Sequence, residues 1–145
     1  MTTKLIITLI SALLVLTSGS FLSIKHSAKK PVEKSVNVEI YKTASYVSPA
    51  YANTFATLEV TVVRVNGNKK DTAFQHTFQP KQLKDYPASD KPLVQRITIP
   101  NVNDNREKLE IFYKLKYDTK GSELNFSDGT VIGKGVQSGK LNIKI

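Results

Sequence analysis

The chain has no cysteine, no tryptophan and only two histidines among its 145 residues. Without cysteine there can be no disulfide framework, no thiol nucleophile and no thiolate metal site. Small eukaryotic secreted domains are usually stapled by disulfides, so for an exported chain this absence favours a bacterial envelope or secreted protein.

Catalytic motifs are also missing. His26 lies in a lysine-rich segment and His76 lies between two phenylalanines, so neither is predicted to be oriented by a carboxylate as a catalytic triad requires. There is no G-x-S-x-G elbow and no glycine-rich phosphate loop. Histidines are too few for a zinc site. The sequence therefore predicts no catalytic residue, no cofactor and no metal, and we expect that the protein is not an enzyme.

One polar segment, Val102-Asn103-Asp104-Asn105, has two interpretations. Side-chain oxygens at alternate positions suit a calcium ion. Asn and Asp are also the preferred residues of a turn between two strands. We adopt the turn.

The amino terminus has the three parts of a secretory signal peptide. Lys4 supplies a positive start, residues 5–16 are almost wholly apolar, and residues 17–20 are small. We therefore predict a signal peptide over residues 1–20. The alternative is an uncleaved anchor over residues 5–24, which at about 20 residues is just long enough to span a bilayer. Serines and threonines interrupt the apolar run, and for that reason we favour cleavage.

A basic lead-in is predicted after the signal, over residues 21–34. It contains Pro31 and four lysines, Lys25, Lys29, Lys30 and Lys34. The folded domain is predicted to extend over residues 35–145.

Within that domain apolar and polar residues alternate, which is typical of half-buried strands. The clearest run places Leu109, Ile111, Tyr113, Leu115 and Tyr117 on one face. Asn66-Gly67 predicts a tight hairpin, and Val63 and Val65 break the alternation and predict a bulge. Strands are predicted at 36–40, 58–65, 71–79, 93–99, 109–117, 123–126, 130–132 and 141–145, with one helical turn at 81–85.

Seven or eight short strands without an amphipathic helix predict an all-β fold. We expect an antiparallel β-sandwich, immunoglobulin-like in broad architecture. A small β-barrel is the alternative. The cysteine pair and tryptophan of immunoglobulin domains are absent, so the prediction concerns architecture and no family.

Charge and aromatic residues give the remaining hints. Loss of the signal would leave 20 of the 21 basic residues against 12 acidic ones, a net charge of about +8. Such a chain can bind anionic partners, although lysines alternating with acids also form ordinary soluble strand faces. Three tyrosines, Tyr41, Tyr46 and Tyr51, surround a loop at 43–53 and predict a ligand or partner surface. The alternative is that they cap the core.

These observations predict an exported, non-enzymatic binding or structural module of the cell envelope or extracellular space, with a protein or glycan partner. The alternative is a basic effector or inhibitor that docks on an anionic surface. Membrane attachment is expected only if the amino-terminal segment stays uncleaved. No motif predicts specific nucleic-acid binding.

Overall fold

A computed structural model describes residues 30–145 of the chain. The predicted signal peptide (1–20), the alternative anchor (5–24) and two of the lead-in lysines, Lys25 and Lys29, lie outside the described residues. Within residues 30–145, no helix has the length and apolar character needed to cross a bilayer.

Eight strands and one 3₁₀ turn make up this part of the chain. The strands are β1 (Val32–Tyr41), β2 (Thr54–Asn66), β3 (Lys69–Thr77), β4 (Lys81–Gln82), β5 (Leu93–Val102), β6 (Glu107–Thr119), β7 (Ser122–Ile132) and β8 (Ser138–Lys144). The 3₁₀ turn, Leu83–Asp85, lies where one helical turn is predicted.

The strands form two sheets. The narrow sheet has the order β5-β1-β8, and the wide sheet has the order β3-β2-β6-β7, with β4 beside β2. Every pairing between these strands is antiparallel except that of β1 with β8, which is parallel. The prediction of an all-β chain built from antiparallel strands is confirmed.

The two sheets pack face to face because alternate residues of their strands are apolar. Val36, Val38 and Ile40 of β1 are at most 1% exposed, as are Leu58 and Val60 of β2. Burial of one such side chain contributes about 1.5–3 kcal/mol. Partners from both sheets complete a single core cluster, including Ile97, Ile99, Leu109, Ile111, Leu115, Ile132, Leu141 and Ile143.

The β2–β3 hairpin has the tight turn that Asn66-Gly67 predicts. Asn66 pairs with Lys69, and Gly67 takes the positive φ of 59° that the tight turn needs. The predicted irregularity near Val63 is also present. The β2–β3 register shifts between Val62 and Val63. Val62 faces Phe74 and Val63 faces Thr72, so Ala73 is the extra residue of a bulge.

The region 122–132 differs from the prediction of two short strands. It forms one strand, β7, whose register with β6 runs unbroken from Thr119–Ser122 to Leu109–Ile132. The apparent break at Gly129 has a packing reason. A Cβ there would lie 2.4 Å from the Ile111 main-chain oxygen and 3.1 Å from Phe112 Cδ1. Only glycine fits this close to the Ile111 main-chain oxygen, so Gly129 continues the strand instead of ending it.

The predicted lead-in is wrong at its carboxyl end. Strand β1 begins at Val32, and Lys34 is fully buried within it. Its ammonium lies 2.7 Å from Asp104 Oδ1 and donates to the Gly133 main-chain oxygen at 2.6 Å. A buried charge needs such partners. Lys34 therefore joins β1 to the β5–β6 and β7–β8 connections.

Replacing this lysine should destabilise the domain. Lys34→Met removes the ammonium from a buried ion pair, for which a loss of about 3 kcal/mol is expected. The free energy of unfolding in urea measures it. Lys30→Met is the matched control, since Lys30 is exposed, and its expected change is within about 0.5 kcal/mol. Equal effects of the two substitutions would contradict the assigned role of Lys34.

Candidate binding cleft

A cleft of about 420 Å³ lies at one end of the two-sheet structure. The loop between β1 and β2, the β6–β7 turn and the 3₁₀ turn meet there. Its lining residues are Tyr46, Ala50, Tyr51, Thr54, Leu83, Tyr117, Thr119, Ser122, Glu123 and Leu124. The volume falls within the range of small-molecule sites, about 300–1,000 Å³.

The loop that forms one wall is anchored through Tyr46. This residue takes a positive φ of 54°, which is uncommon for a residue with a large side chain. Its hydroxyl donates to the main-chain oxygen of Ile145 at 2.8 Å. The Thr43 hydroxyl and the Thr43 main-chain N–H donate to the same oxygen at 3.0 Å each. These bonds hold the Tyr46 ring against the end of the core.

Aromatic side chains make the cleft largely apolar. The rings of Tyr46 and Tyr51 meet edge to face with centroids 5.3 Å apart. On the opposite wall, Tyr117 meets Phe126 in the same way at 5.8 Å. Edge-to-face pairs fix ring orientation. The cleft is therefore walled by positioned aromatic faces, with half-exposed Leu124 beside them.

Polar groups are few and lie at defined places. The hydroxyls of Thr54 and Thr119 hydrogen-bond each other at 2.7 Å, and Thr54 is buried. At the rim, the Glu123 carboxylate forms an ion pair with Lys116. An apolar pocket with a few fixed polar groups is the usual form of a binding site.

The structure separates the three tyrosines that the sequence groups together. Tyr46 and Tyr51 contact each other and line the cleft. Tyr41 ends β1, alternates with buried Ile40 and so lies on the outer face of the narrow sheet. Sequence reasoning missed Tyr117 as a cleft residue, although its place at the end of the clearest alternating strand was a usable signal.

The polar turn at 102–105 does not resemble a calcium site. Asp104 Oδ1 accepts from Lys34 Nζ at 2.7 Å and from the Gly135 main-chain N–H at 2.9 Å. A lysine ammonium therefore lies where a cation would bind. Among residues 30–145 there is also no group of three or more His, Cys, Asp or Glu side chains that could hold a metal ion.

A second cavity of about 290 Å³ lies near the other wide-sheet edge, beside His76. The exposed His76 ring meets Phe78 edge to face at 4.8 Å. His76 lies on β3, at the edge of the wide sheet, and pairs with Val60 of β2. This cavity is smaller than the tyrosine-lined cleft.

Comparison with protein-family models, with curated proteins and with solved structures finds no match for this chain. The case for the cleft therefore rests on the geometry of its own residues.

Burial in the cleft wall changes the acidity of Tyr117. The pKa of Tyr117 is raised to about 12, chiefly because burial disfavours the phenolate and further because Tyr46, Tyr113 and Tyr86 lie nearby. Tyr86, which lines the second cavity beside His76, is also buried. Burial raises its pKa, and its hydroxyl donates to the Ala56 main-chain oxygen at 3.0 Å. Both hydroxyls are thus held neutral in the folded protein.

This shift predicts an alkaline loss of stability. An unfolded tyrosine titrates near pH 10, whereas folded Tyr117 titrates near 12. Below pH 10 both states are neutral. Between about pH 10 and 12 the unfolded state loses its proton first, so stability falls as pH rises. Tyr117→Phe should reduce this fall, measured by urea unfolding at several pH values. An equal reduction in the control Tyr41→Phe would refute the assignment to Tyr117.

Proposed function

We propose that this chain is an exported, non-enzymatic binding module and that the tyrosine-lined cleft is its ligand site. The observation that carries the proposal is the combination of positioned aromatic walls with one hydrogen-bonded hydroxyl pair, of which Thr54 is buried. Aromatic rings supply large contact area at low entropic cost. The architecture we propose for the two sheets is an immunoglobulin-like sandwich, in preference to a small barrel.

Export is the part of the proposal that rests on sequence alone. The apolar segment over residues 5–16 and the small residues that follow it support a cleaved signal peptide. The domain would then act in the cell envelope or the extracellular space.

The surroundings of the carboxylates support binding rather than catalysis. Acid–base work needs a carboxylate or histidine aimed at a reacting group. The Glu123 carboxylate at the cleft rim is instead paired with Lys116, and the Thr54 and Thr119 hydroxyls bond each other. These groups can orient a ligand through hydrogen bonds.

The shape and chemistry of the cleft favour a partner that inserts an apolar or aromatic group. Such a group would lie between the rings of Tyr51 and Tyr117 and above the Thr54 hydroxyl. A protein side chain or the apolar face of a sugar ring both fit this description. Tyrosine is a weaker sugar platform than tryptophan, so we favour a protein partner.

The test uses two tyrosines with different positions. Tyr51→Ala removes an exposed wall of the cleft and should weaken binding at least about tenfold, as expected for an aromatic anchor. Tyr41→Ala is the matched control, because Tyr41 lies on the outer face of the narrow sheet, and it should bind normally. The probes are a glycan array and the exported proteins of the native host, with affinity measured by calorimetry for the ligand captured.

Unfolding must be separated from loss of the site. Both variants should keep the unfolding midpoint of the parent within about 1 kcal/mol, as expected for substitutions at half-exposed positions. Unchanged binding by a folded Tyr51→Ala variant would remove the cleft as the site.

A second candidate function follows from the basic surface. Lys30, Lys114 and Lys134 are exposed, and the formal net charge of the whole chain is +9. These charges favour docking on an anionic surface, as a basic effector or inhibitor would do. Against it, several basic residues are already held in ion pairs, namely Lys34, Arg64, Lys70, Lys108, Lys116 and Lys140.

Salt dependence distinguishes the two candidates. Exposed charges are largely screened at about 0.15 M salt, where the Debye length is about 8 Å. Docking through lysines should therefore weaken steeply as salt rises, whereas insertion into the aromatic cleft should change little. Binding to anionic vesicles, measured by co-sedimentation over a salt series, is the readout. Salt-insensitive binding would eliminate the anion-docking function.

A further inference from the structure

Among residues 30–145, strand β7 is a sheet edge with no further strand paired beside it. It is the last strand of the wide sheet, eleven residues long, and residues 122–129 are all exposed. Its sequence contains no lysine, arginine or proline, and its register with β6 has no bulge. An edge of this kind presents a row of unpaired main-chain groups that can pair with another strand.

The other three sheet edges carry the usual protection. Strand β3 starts with Lys69 and Lys70 and is bulged at Ala73. Strand β5 contains Pro100, and β8 is short and carries Lys140 and Lys144. Proteins blunt free edges with such lysines, prolines and bulges. The contrast indicates that β7 is kept open for pairing.

Two apolar side chains of β7 lie on the face of the wide sheet that packs on the core. Leu124 and Phe126 lie opposite Tyr117 and Leu115 of β6, on the inner face of the wide sheet. They are nevertheless 57% and 51% exposed. The edge thus combines free main-chain groups with half-exposed apolar side chains, which is what a strand-pairing surface requires.

We propose that β7 pairs antiparallel with β7 of a second copy of this chain, with Asn125 on the two-fold axis. This register places Leu124 opposite Phe126 of the other copy twice, on the inner face. It also places Glu123 opposite Ser127, and Asp128 opposite Ser122. The pairing joins two wide sheets into one continuous sheet.

The register is favoured because the sequence of β7 is self-complementary in it. Directly opposed apolar pairs stabilise an antiparallel ladder, and directly opposed like charges destabilise it. Here neither acid faces an acid. The Asp128 carboxylate, which points inward and would otherwise discourage pairing, lies at the end of the paired segment and bonds its neighbouring Gly129 N–H at 2.7 Å.

The first experiment measures the mass of the protein as recovered after export, by sedimentation equilibrium over a range of concentrations. A concentration-dependent dimer is expected. A monomer at every concentration would overturn the proposal, and it is also the result expected if a foreign peptide or the residues before Lys30 cover β7 instead.

An engineered thiol then locates the contact. Residues directly opposite in a ladder have Cα atoms about 4.5–5.5 Å apart, within the reach of a disulfide. The chain has no cysteine of its own, so any cross-link of Asn125→Cys reports that position. Thr98→Cys, at an exposed site on β5, is the control. A dimer whose Asn125→Cys variant cross-links no faster than the control would place the contact elsewhere and overturn the proposal.

Charge substitution at Ser127 tests the register. Ser127→Lys places an ammonium opposite Glu123 of the other copy, and Ser127→Glu places two like charges opposite each other, each twice per dimer. Dimer affinity should rise about threefold or more in the first case and fall by as much in the second. Bulk electrostatics of a basic chain predict the reverse order, so a reversed order would overturn the register.

The Ser127 and Asn125 side chains lie on the outer face, away from the cleft. Sedimentation and cross-linking report self-pairing whether or not a ligand binds, so this proposal can fail while the cleft still binds its ligand, and the reverse.

Discussion

The packing of a three-stranded sheet against a five-stranded one is the constraint on which the rest of the structure depends. The narrow sheet covers β2 and β6 well, since Leu58, Val60 and Ile111 are fully buried. It does not cover the amino-terminal half of β7, where Leu124 and Phe126 point inward but are half exposed. At the other end of β7 the sheets are close. Gly139 of β8 leaves room for Ile132, because a Cβ there would lie 2.7 Å from Ile132 Cγ1. The narrow sheet thus packs closely on the carboxyl-terminal end of β7 and leaves its amino-terminal end uncovered. The uncovered end borders the cleft and exposes Leu124 and Phe126 at the sheet edge.

The buried Lys34 shows where sequence reasoning had a signal and did not use it. Lys34 precedes Val36, Val38 and Ile40 in the same alternating phase, so its side chain points to the core. The prediction of a lead-in over residues 21–34 rests on Pro31 and the four lysines, and lysines are almost never fully buried unless paired. Its partner, Asp104, is seventy residues away in sequence, in a segment whose composition suits a turn or a calcium ion and does not indicate a lysine partner. Long-range pairing of this kind depends on which connections meet at one end of the sheets, and local patterns do not contain that information.

The strands themselves were largely predictable, because period-two alternation reports burial on one face. The exceptions have physical causes. Gly129 suggests a strand end, yet it lies directly opposite Phe112 in the ladder, and the Phe112 ring packs over it. Phe112 is flanked by Glu110 and Lys114 on its face of β6. No local sequence pattern predicts the parallel pairing of β1 with β8. Of the cleft, only the tyrosine loop was foreseen. Tyr117 and Leu124 join it because β6 and β7 turn back at Lys120-Gly121, both with positive φ, directly beneath that loop.

The cleft and the edge share a side chain, and this couples the two proposals. Leu124 lines the cleft and also stands at the free edge of β7. A second strand paired along β7 would place its own Phe126 beside Leu124, on the inner face, and would extend the aromatic wall that Tyr117 and Phe126 begin. Burial there would also restrict the rotamers of Leu124, so less ordering entropy would remain to be lost when a ligand enters. Self-pairing would then precede and strengthen ligand binding, and by linkage a ligand would strengthen self-pairing to the same degree.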